Sequence, residues 1–555
     1  MNWAVTLFAR AVLWLLIFTA ISMNASATDY SLAAHKFDDA VRAEMQAWGI
    51  TGVAVALVDD QRVVHAAGYG VATTNSVFRC GSISKLFNAI AVMQLVEQGQ
   101  LDLDASIERY LPELVPTNPF TNSPPVTLRQ ILSHRSGFPR ESPVGGYFDD
   151  QQAGLDRTVG ALSECVLATM PNAKTRYSNI APSLAGHLVA SRSAESFESY
   201  QHRQLLHPLG MHQSGWKLKE VHLADIIPAS MRIADGRGGF KTGPAPLFDL
   251  GTIPAGNLFT TAPDLARFVQ MLAAEGRTKD SQVLAPETLR QMFTPQLVAE
   301  VTGFGLGFSI GKLRGHKTVG HGGAVYGYSS ELRFIPEHKL GVVVLGNQDI
   351  VNGRISRLAT LALTLMLEAK LGEIPPTAPV PATLSATELA AFTGDYESQS
   401  YWARLEVKDG QLVGNMSSQP LQFTALGPDR FNVNSALDAE ALVTFHRDAT
   451  GKVTGFSLGL QQFARVPDTM AEIPREWRHY LGSYGPAFIP LVLSARHGHL
   501  YAMTENMVDY RLTPVNRHVF QLPPGMYVDE HLVILPDQKG QPHSVSLAGM
   551  VLRRR

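Results

Sequence analysis

The chain has 555 residues, 45% of them hydrophobic and 17% charged, and 47 Lys+Arg against 49 Asp+Glu leave a formal net charge of −2. That balance argues against a nucleic-acid binder, which needs a basic excess to neutralise phosphate, and the ordinary apolar content argues against intrinsic disorder. At roughly 100–200 residues per domain the length predicts about three domains, and the two cysteines, Cys80 and Cys165, are too few for a disulfide framework.

At the N-terminus, Arg10 precedes an apolar run over residues 11–21, and Ala25-Ser26-Ala27 puts small residues at the cleavage-determining positions. This predicts a secretory leader, residues 1–27, and a periplasmic or secreted mature chain of 555 − 27 = 528 residues. An uncleaved anchor is the alternative, but about 12 apolar residues fall short of the ~20 that span a bilayer. No later stretch reaches that length without charges, so no stable membrane span is expected after the leader is removed.

Residues 28–372 alternate β-rich runs with helical ones, which predicts a mixed α/β body. Residues 51–58 and 62–69 read as a hairpin turning at Asp59-Asp60-Gln61, and residues 330–335 and 340–345 as another turning at residues 336–339. Between them, Leu86, Phe87, Ile90, Met93 and Val96 recur at helical spacing over residues 83–98, and Gly99 suits the C-terminal cap. Strands from both ends with helices between them predict one antiparallel sheet flanked by helices.

Residues 373–386 form a linker, because Pro375, Pro376, Pro379 and Pro381 suit neither a helix nor a central strand. Beyond it, an offset of 88 residues aligns Gly394 with Gly482, Tyr396 with Tyr484, Leu405 with Leu493, Gly410 with Gly498, Leu412 with Leu500 and Arg465 with Arg553. These matches predict two related all-β modules, residues 387–470 and 471–555, each the size of a small barrel; a single larger β domain is the alternative.

The sharpest chemical signal is Ser82-Ile83-Ser84-Lys85, after Cys80-Gly81 and before an apolar helix. Three residues apart on a helix, Ser82 and Lys85 share a face, and a neutral amine beside a hydroxyl can activate it as a nucleophile. Alone, the pattern better suits a helix cap and a solvated lysine, because it is common. Its context resembles the active-site motif of the serine β-lactamases and penicillin-recognising DD-peptidases, the class C branch in particular. Tyr177-Ser178-Asn179 resembles that branch's Tyr-x-Asn motif, and His321-Gly322-Gly323 is similar to its Lys-Thr-Gly element in a His-x-Gly form. Supporting phrases are Gly99 to Asp104, Leu128 to Gly137, and Pro208-Leu209-Gly210-Met211.

The resemblance implies a β-lactamase/DD-peptidase-like α/β (α+β) catalytic domain followed by the two barrel-like modules. It also implies an acyl-enzyme on Ser82, proton management by Lys85 and Tyr177 with Tyr177 the main base, and Asn179 bonding substrate and lysine. The oxyanion hole would use the backbone N–H groups of Ser82 and Ala324, on a strand where Gly323 permits close approach. A neutral His321 in place of the motif lysine weakens carboxylate recognition and demotes β-lactam turnover. No cofactor or metal is expected. The substrate class is a small peptide, amide or ester, with the D-stereospecific aminopeptidases and peptidases of linearised cyclic peptides as the resembling subclass. A carboxylesterase, a DD-peptidase or weak β-lactamase, a penicilloyl-binding sensor, and an adhesion protein with a relic site are the alternatives.

Other signals are weaker. Ser309 and Ser457 both fit Gly-x-Ser-x-Gly, which requires a preceding strand and a following helix that neither context offers. His202, His207 and His212 recur every five residues and do not stack on one helical face. Cys80 reads as a small buried hydrophobe, and Asn347, after the 342–345 run, as a residue able to reach substrate.

Overall fold

A computed structural model describes residues 28–555 apart from Val115, 236–238, 298–300, Pro376, Ala378 and 468–471. The expected leader, residues 1–27, lies outside the described residues.

Helix α1 (Ser31–Trp48) leads into β1 (Gly52–Asp59) and β2 (Arg62–Gly70), the expected hairpin, followed by α2 (Ser84–Glu97), α3 (Ile180–Ser193) and α4 (Ala262–Ala273). Strands β3 (Gly303–Phe304), β4 (Ser309–Leu313), β5 (His316–Val325), β6 (Tyr328–Ile335) and β7 (Leu340–Gly346) precede α5 (Asn352–Leu371). The seven strands form one antiparallel sheet in the order β2-β1-β7-β6-β5-β4-β3. The first hairpin and the last therefore meet, with Val55 opposite Val344.

Alternation along the strands divides the core. Val53, Val55 and Leu57 join Val342 and Val344 against α1 and α5, whereas Ala54, Ala56, Val343 and Leu345 face the opposite layer, with α2 and α4. Helix α2 departs from the amphipathic expectation: every residue from Ser84 to Leu95 is buried. Its apolar residues are not confined to one stripe, so it runs through the core rather than over it, and it carries a lysine inside. Gly99, at φ +70°, ends it as expected.

The linker runs into a one-turn helix, Ala386–Ala390, opened by a Ser385/Glu388 capping box. Eight strands from Gly394–Glu397 to Gln461–Arg465 then close into a barrel, the first pairing with the last through Tyr396 and Arg465. The following module has two sheets, of four and five strands, joined end to end by a bridge between Tyr484 and Arg554.

The repeat has a common structural basis. Tyr396 donates to Phe392 O at 2.8 Å and Tyr484 to Tyr480 O at 2.7 Å. Arg465 lies over Tyr396 and donates to Ala391 and Thr393 O; Arg554 lies over Tyr484 and donates to His479 and Leu481 O. The counterpart of Arg465 is thus Arg554, not Arg553: the second module has gained one residue by its last strand. Among the described residues no helix is long and apolar enough to cross a membrane.

Candidate active site

Ser82 lies in a single 3-10 turn, Gly81–Ile83, that feeds α2. Gly81 has φ +53°, and a Cβ there would come within 2.7 Å of Ala324 N, so only glycine lets this turn rest against β5. Ser330 Oγ donates to Cys80 O at 2.8 Å, and a Cβ on Gly323 would fall 2.0 Å from the same oxygen. The backbones of Ser82 and Ala324 are thereby held side by side, the placement an oxyanion hole needs.

Lys85, one turn along, directs Nζ to three oxygens: Ser82 Oγ at 2.9 Å, Asn179 Oδ1 at 2.8 Å and Ala255 O at 2.7 Å. Burial holds its amine well below the usual lysine range, with Glu141 opposing the shift and Arg140 adding to it. Tyr177 OH donates to Ser82 Oγ at 2.7 Å. Burial pushes this phenol up to about 12, with the Ser82 bond and Arg140 acting the other way. A neutral phenol and an amine whose charge burial disfavours meet at Ser82 Oγ. Tyr177 OH and Lys85 Nζ both donate to Ser82 Oγ, and the remaining amine hydrogens go to Asn179 and Ala255.

Asn179, at the start of α3, uses its other end to donate to Glu141 Oε1 at 2.6 Å. Burial raises the Glu141 carboxyl to about 7, against the pull of Arg140. Beneath Tyr177, the His134 ring stacks at 4.3 Å between centroids and accepts from Ser178 N.

His321, on β5, is buried, and its Nδ1 lies 2.5 Å from Gly322 O. A carbonyl only accepts, so Nδ1 carries the proton and Nε2 presents a buried lone pair, which has no partner among the described residues, in a residue that lines the pocket. Burial, then the nearby Lys85, lowers its pKa to about 4. The folded value lies below the unfolded 6.5, so this contribution to stability is complete above pH 6.5 and is lost as pH falls towards 4. His321→Gln is expected to flatten the loss of stability over that window, read as urea midpoints at pH 7, 6, 5 and 4; an unchanged acid slope would refute the assignment.

Ser82, Tyr177, Asn179 and His321 line a cavity of about 470 Å³, part of whose wall comes from far along the chain: Leu437 from the barrel and Ile489, Glu505, Asn506 and Met526 from the last module. Arg140 joins the two sides. Its Nε donates to Glu505 at 3.3 Å, its backbone N–H donates to Glu530 at 2.8 Å, and its guanidinium lies over both Tyr177 and Tyr527. Arg176, the residue before Tyr177, forms a buried pair with Glu530 and donates to Val528 O at 3.0 Å.

The structure brings Ser82, Lys85, Tyr177, Asn179, His321, Gly323 and Ala324 together around this cavity but excludes Asn347. Asn347 is buried, accepts from Gly52 N at 2.7 Å and Thr51 Oγ1 at 3.1 Å, and donates to Pro228 O. Its amide is consumed in tying β1 to β7 and the 228 loop, so it cannot reach substrate; Asp349, Ile350 and Asn352 line the cavity instead. Arg140, Glu141, Glu505 and Glu530 escaped the sequence reading. Arg140 and Glu141 follow the Leu128 to Gly137 phrase closely, but nothing local marks them, and Glu505 lies 365 residues from Arg140. Ser309 lines the same cavity but starts β4 in the sheet, with no helix behind it. Cys80 and Cys165 are free, buried thiols, each pushed by burial to about 12.

Residues 37–365 match the model of a family described as Beta-lactamase. Penicillin-binding protein 4 of Amycolatopsis lactamdurans is 28% identical over 65% of this chain and 96% of its own. The D-alanyl-D-alanine-carboxypeptidase/endopeptidase AmpH of Escherichia coli K12 is 25% identical over 54% of this chain and 79% of its own. The octameric penicillin-binding protein homologue from Pyrococcus abyssi superposes with a TM-score of 0.56 at 24% identity, covering 78% of this chain and 99% of that one.

Proposed function

Since the chain belongs to the Beta-lactamase family and is a serine hydrolase, we propose that it is an exported peptidase that acylates Ser82 and acts on small or unusual peptides, D-residue-containing ones included. The observation that carries this reading is the convergence of Lys85 and Tyr177 on Ser82 Oγ at 2.9 and 2.7 Å inside a cavity walled by the last module.

Ser82 Oγ attacks the substrate carbonyl while its proton passes to the Lys85 amine, and the oxyanion forms against the Ser82 and Ala324 N–H groups. The C–N bond then breaks, with the proton returned to the leaving amine through Lys85 and Tyr177. Water cleaves the acyl ester by the reverse sequence. Asn179 and Glu141 keep the amine aimed at Ser82.

Three features favour short, uncharged acyl groups. The cavity is walled by distant segments, His321 is neutral at pH 7, and the Arg140 charge is matched by Glu505. The relative named D-alanyl-D-alanine-carboxypeptidase/endopeptidase supports a peptide substrate, and the leader-like run over residues 11–21 supports export. Ester hydrolysis is the second reading, favoured by the apolar lining of Met231, Phe304, Ile489 and Met526. A panel on the mature chain separates them. Steady-state cleavage of D-Ala-p-nitroanilide and short peptides is expected, with kcat/KM at least about tenfold above that for a chromogenic cephalosporin. Turnover of p-nitrophenyl esters alone would overturn the peptidase reading, and a stoichiometric burst without steady state would replace it by a sensor.

A further inference from the structure

Away from the hydrolytic cavity, three turns and helix ends bring together a different chemistry. His316 opens β5 at the β4–β5 turn, Glu337 and His338 occupy the 3-10 turn Pro336–His338 between β6 and β7, and Glu373 follows the end of α5. His316 Nδ1 and His338 Nε2 are 3.0 Å apart, and Glu337 Oε2 lies 3.4 Å from the first and 3.8 Å from the second. Three donor atoms at the corners of a tetrahedron around zinc, with bonds of about 2.0–2.2 Å, stand about 3.3–3.5 Å apart. The observed separations bracket that value.

The fourth residue gives the second, independent indication. His316 Nε2 lies 2.7 Å from Glu373 Oε1. A carboxylate on the far nitrogen fixes the tautomer with the proton on Nε2, so that the Nδ1 lone pair faces the cluster. This is the carboxylate–histidine arrangement that supports metal-bound imidazoles. Glu373 is itself anchored, because Arg314 pairs with its carboxylate at 3.6 Å and donates to the backbone carbonyls of Glu373 and Ile374. Both imidazoles are mostly buried, whereas the Glu337 side chain is 66% exposed, which leaves solvent access for a fourth ligand.

We propose that His316, His338 and Glu337 form a divalent transition-metal site, zinc being the ion that two imidazoles, one carboxylate and a water fit best. The ion clips the β4–β5 turn to the β6–β7 turn, and Glu373 ties the end of α5 to the same point. Its role is to stiffen this end of the sheet. It takes no part in acylation of Ser82, which lies elsewhere.

The test uses tag-free, EDTA-treated full chain titrated with ZnCl2 by calorimetry, with MgCl2 as the control. The expected result is one zinc per chain at micromolar or tighter affinity and a Tm raised by several degrees with zinc but not magnesium. With Co2+, the visible d–d bands of a four-coordinate ion should appear. Glu373→Gln should weaken zinc binding about 10–100-fold, and His338→Gln should abolish the one-to-one event while leaving ester and anilide turnover unchanged. Glu337→Gln, at an exposed position that does not threaten folding, must also weaken it. Failure of zinc to bind stoichiometrically would leave a plain His338-to-His316 hydrogen bond and overturn the proposal. So would binding that survives the His316→Ala/His338→Gln pair, which would place the ion at another cluster such as His497, Glu397 and His499.

Discussion

Ser82→Ala is expected to lower kcat at least about 10⁴-fold on every amide or ester the wild type cleaves, the scale on which a serine hydrolase loses activity when its nucleophile is removed. The substitution deletes one oxygen that faces the cavity, where water can take the bonds from Lys85 and Tyr177, so the fold and Tm should be retained. A serine-directed fluorophosphonate should label the wild type on the Ser82 peptide and leave the variant unmodified in intact-mass spectra. Two companions rank the proton carriers. Lys85→Ala removes the lowered-pKa amine and should approach the Ser82→Ala loss. Tyr177→Phe leaves that amine in place and should cost about 10²–10³-fold, the scale of one general acid–base group. Equal losses from all three would return the base role to Tyr177, and retained activity in Ser82→Ala would end the acyl-enzyme reading.

Glu530→Ala should be the most damaging single change outside the reacting groups. Glu530 and Arg176 are each at most 3% exposed at the side chain, and Glu530 also accepts the Arg140 backbone N–H at 2.8 Å. Removing one partner strands the other's charge in the interior, which costs about 3–5 kcal/mol. Because Arg176 immediately precedes Tyr177, and Arg140 lies over its ring, kcat should fall along with stability. Replacing both partners by Met and Leu separates the two effects, since an apolar pair of similar volume can restore stability but not the bonds that set the loop. Urea unfolding and kcat on the same samples decide the matter. If Glu530→Ala left both unchanged, the last module would be a neighbour of the site and not its support.

What could be read in the sequence was local. The hairpins at each end of the catalytic body show as apolar, β-rich runs on either side of a short turn, and α2 as apolar spacing closed by Gly99. The Ser82–Lys85 pair was legible because one helical turn joins the two residues whatever surrounds them. The repeat at an offset of 88 was legible because its Tyr–Arg lock recurs in both modules, although the end of the second had slipped to Arg554. Asn347 misled for the opposite reason. An asparagine at a strand end near a candidate site looks available until packing shows its amide spent on Gly52, Thr51 and Pro228.

By itself, then, the sequence determined the strands and helices of the catalytic body, the pairing of Ser82 with Lys85, and the modular tail, because each is specified by residues within a turn or two of one another or by repetition. Only the tertiary structure decided what surrounds them. It buried α2 from Ser84 to Leu95, so that the charge on Lys85 is disfavoured, and it raised the Tyr177 phenol to about 12. It also folded the last module over Ser82, so that Arg140 meets Glu505 across 365 residues of chain. Desolvation and pairing between distant segments depend on which surfaces come into contact when the chain closes, and no short-range pattern records that.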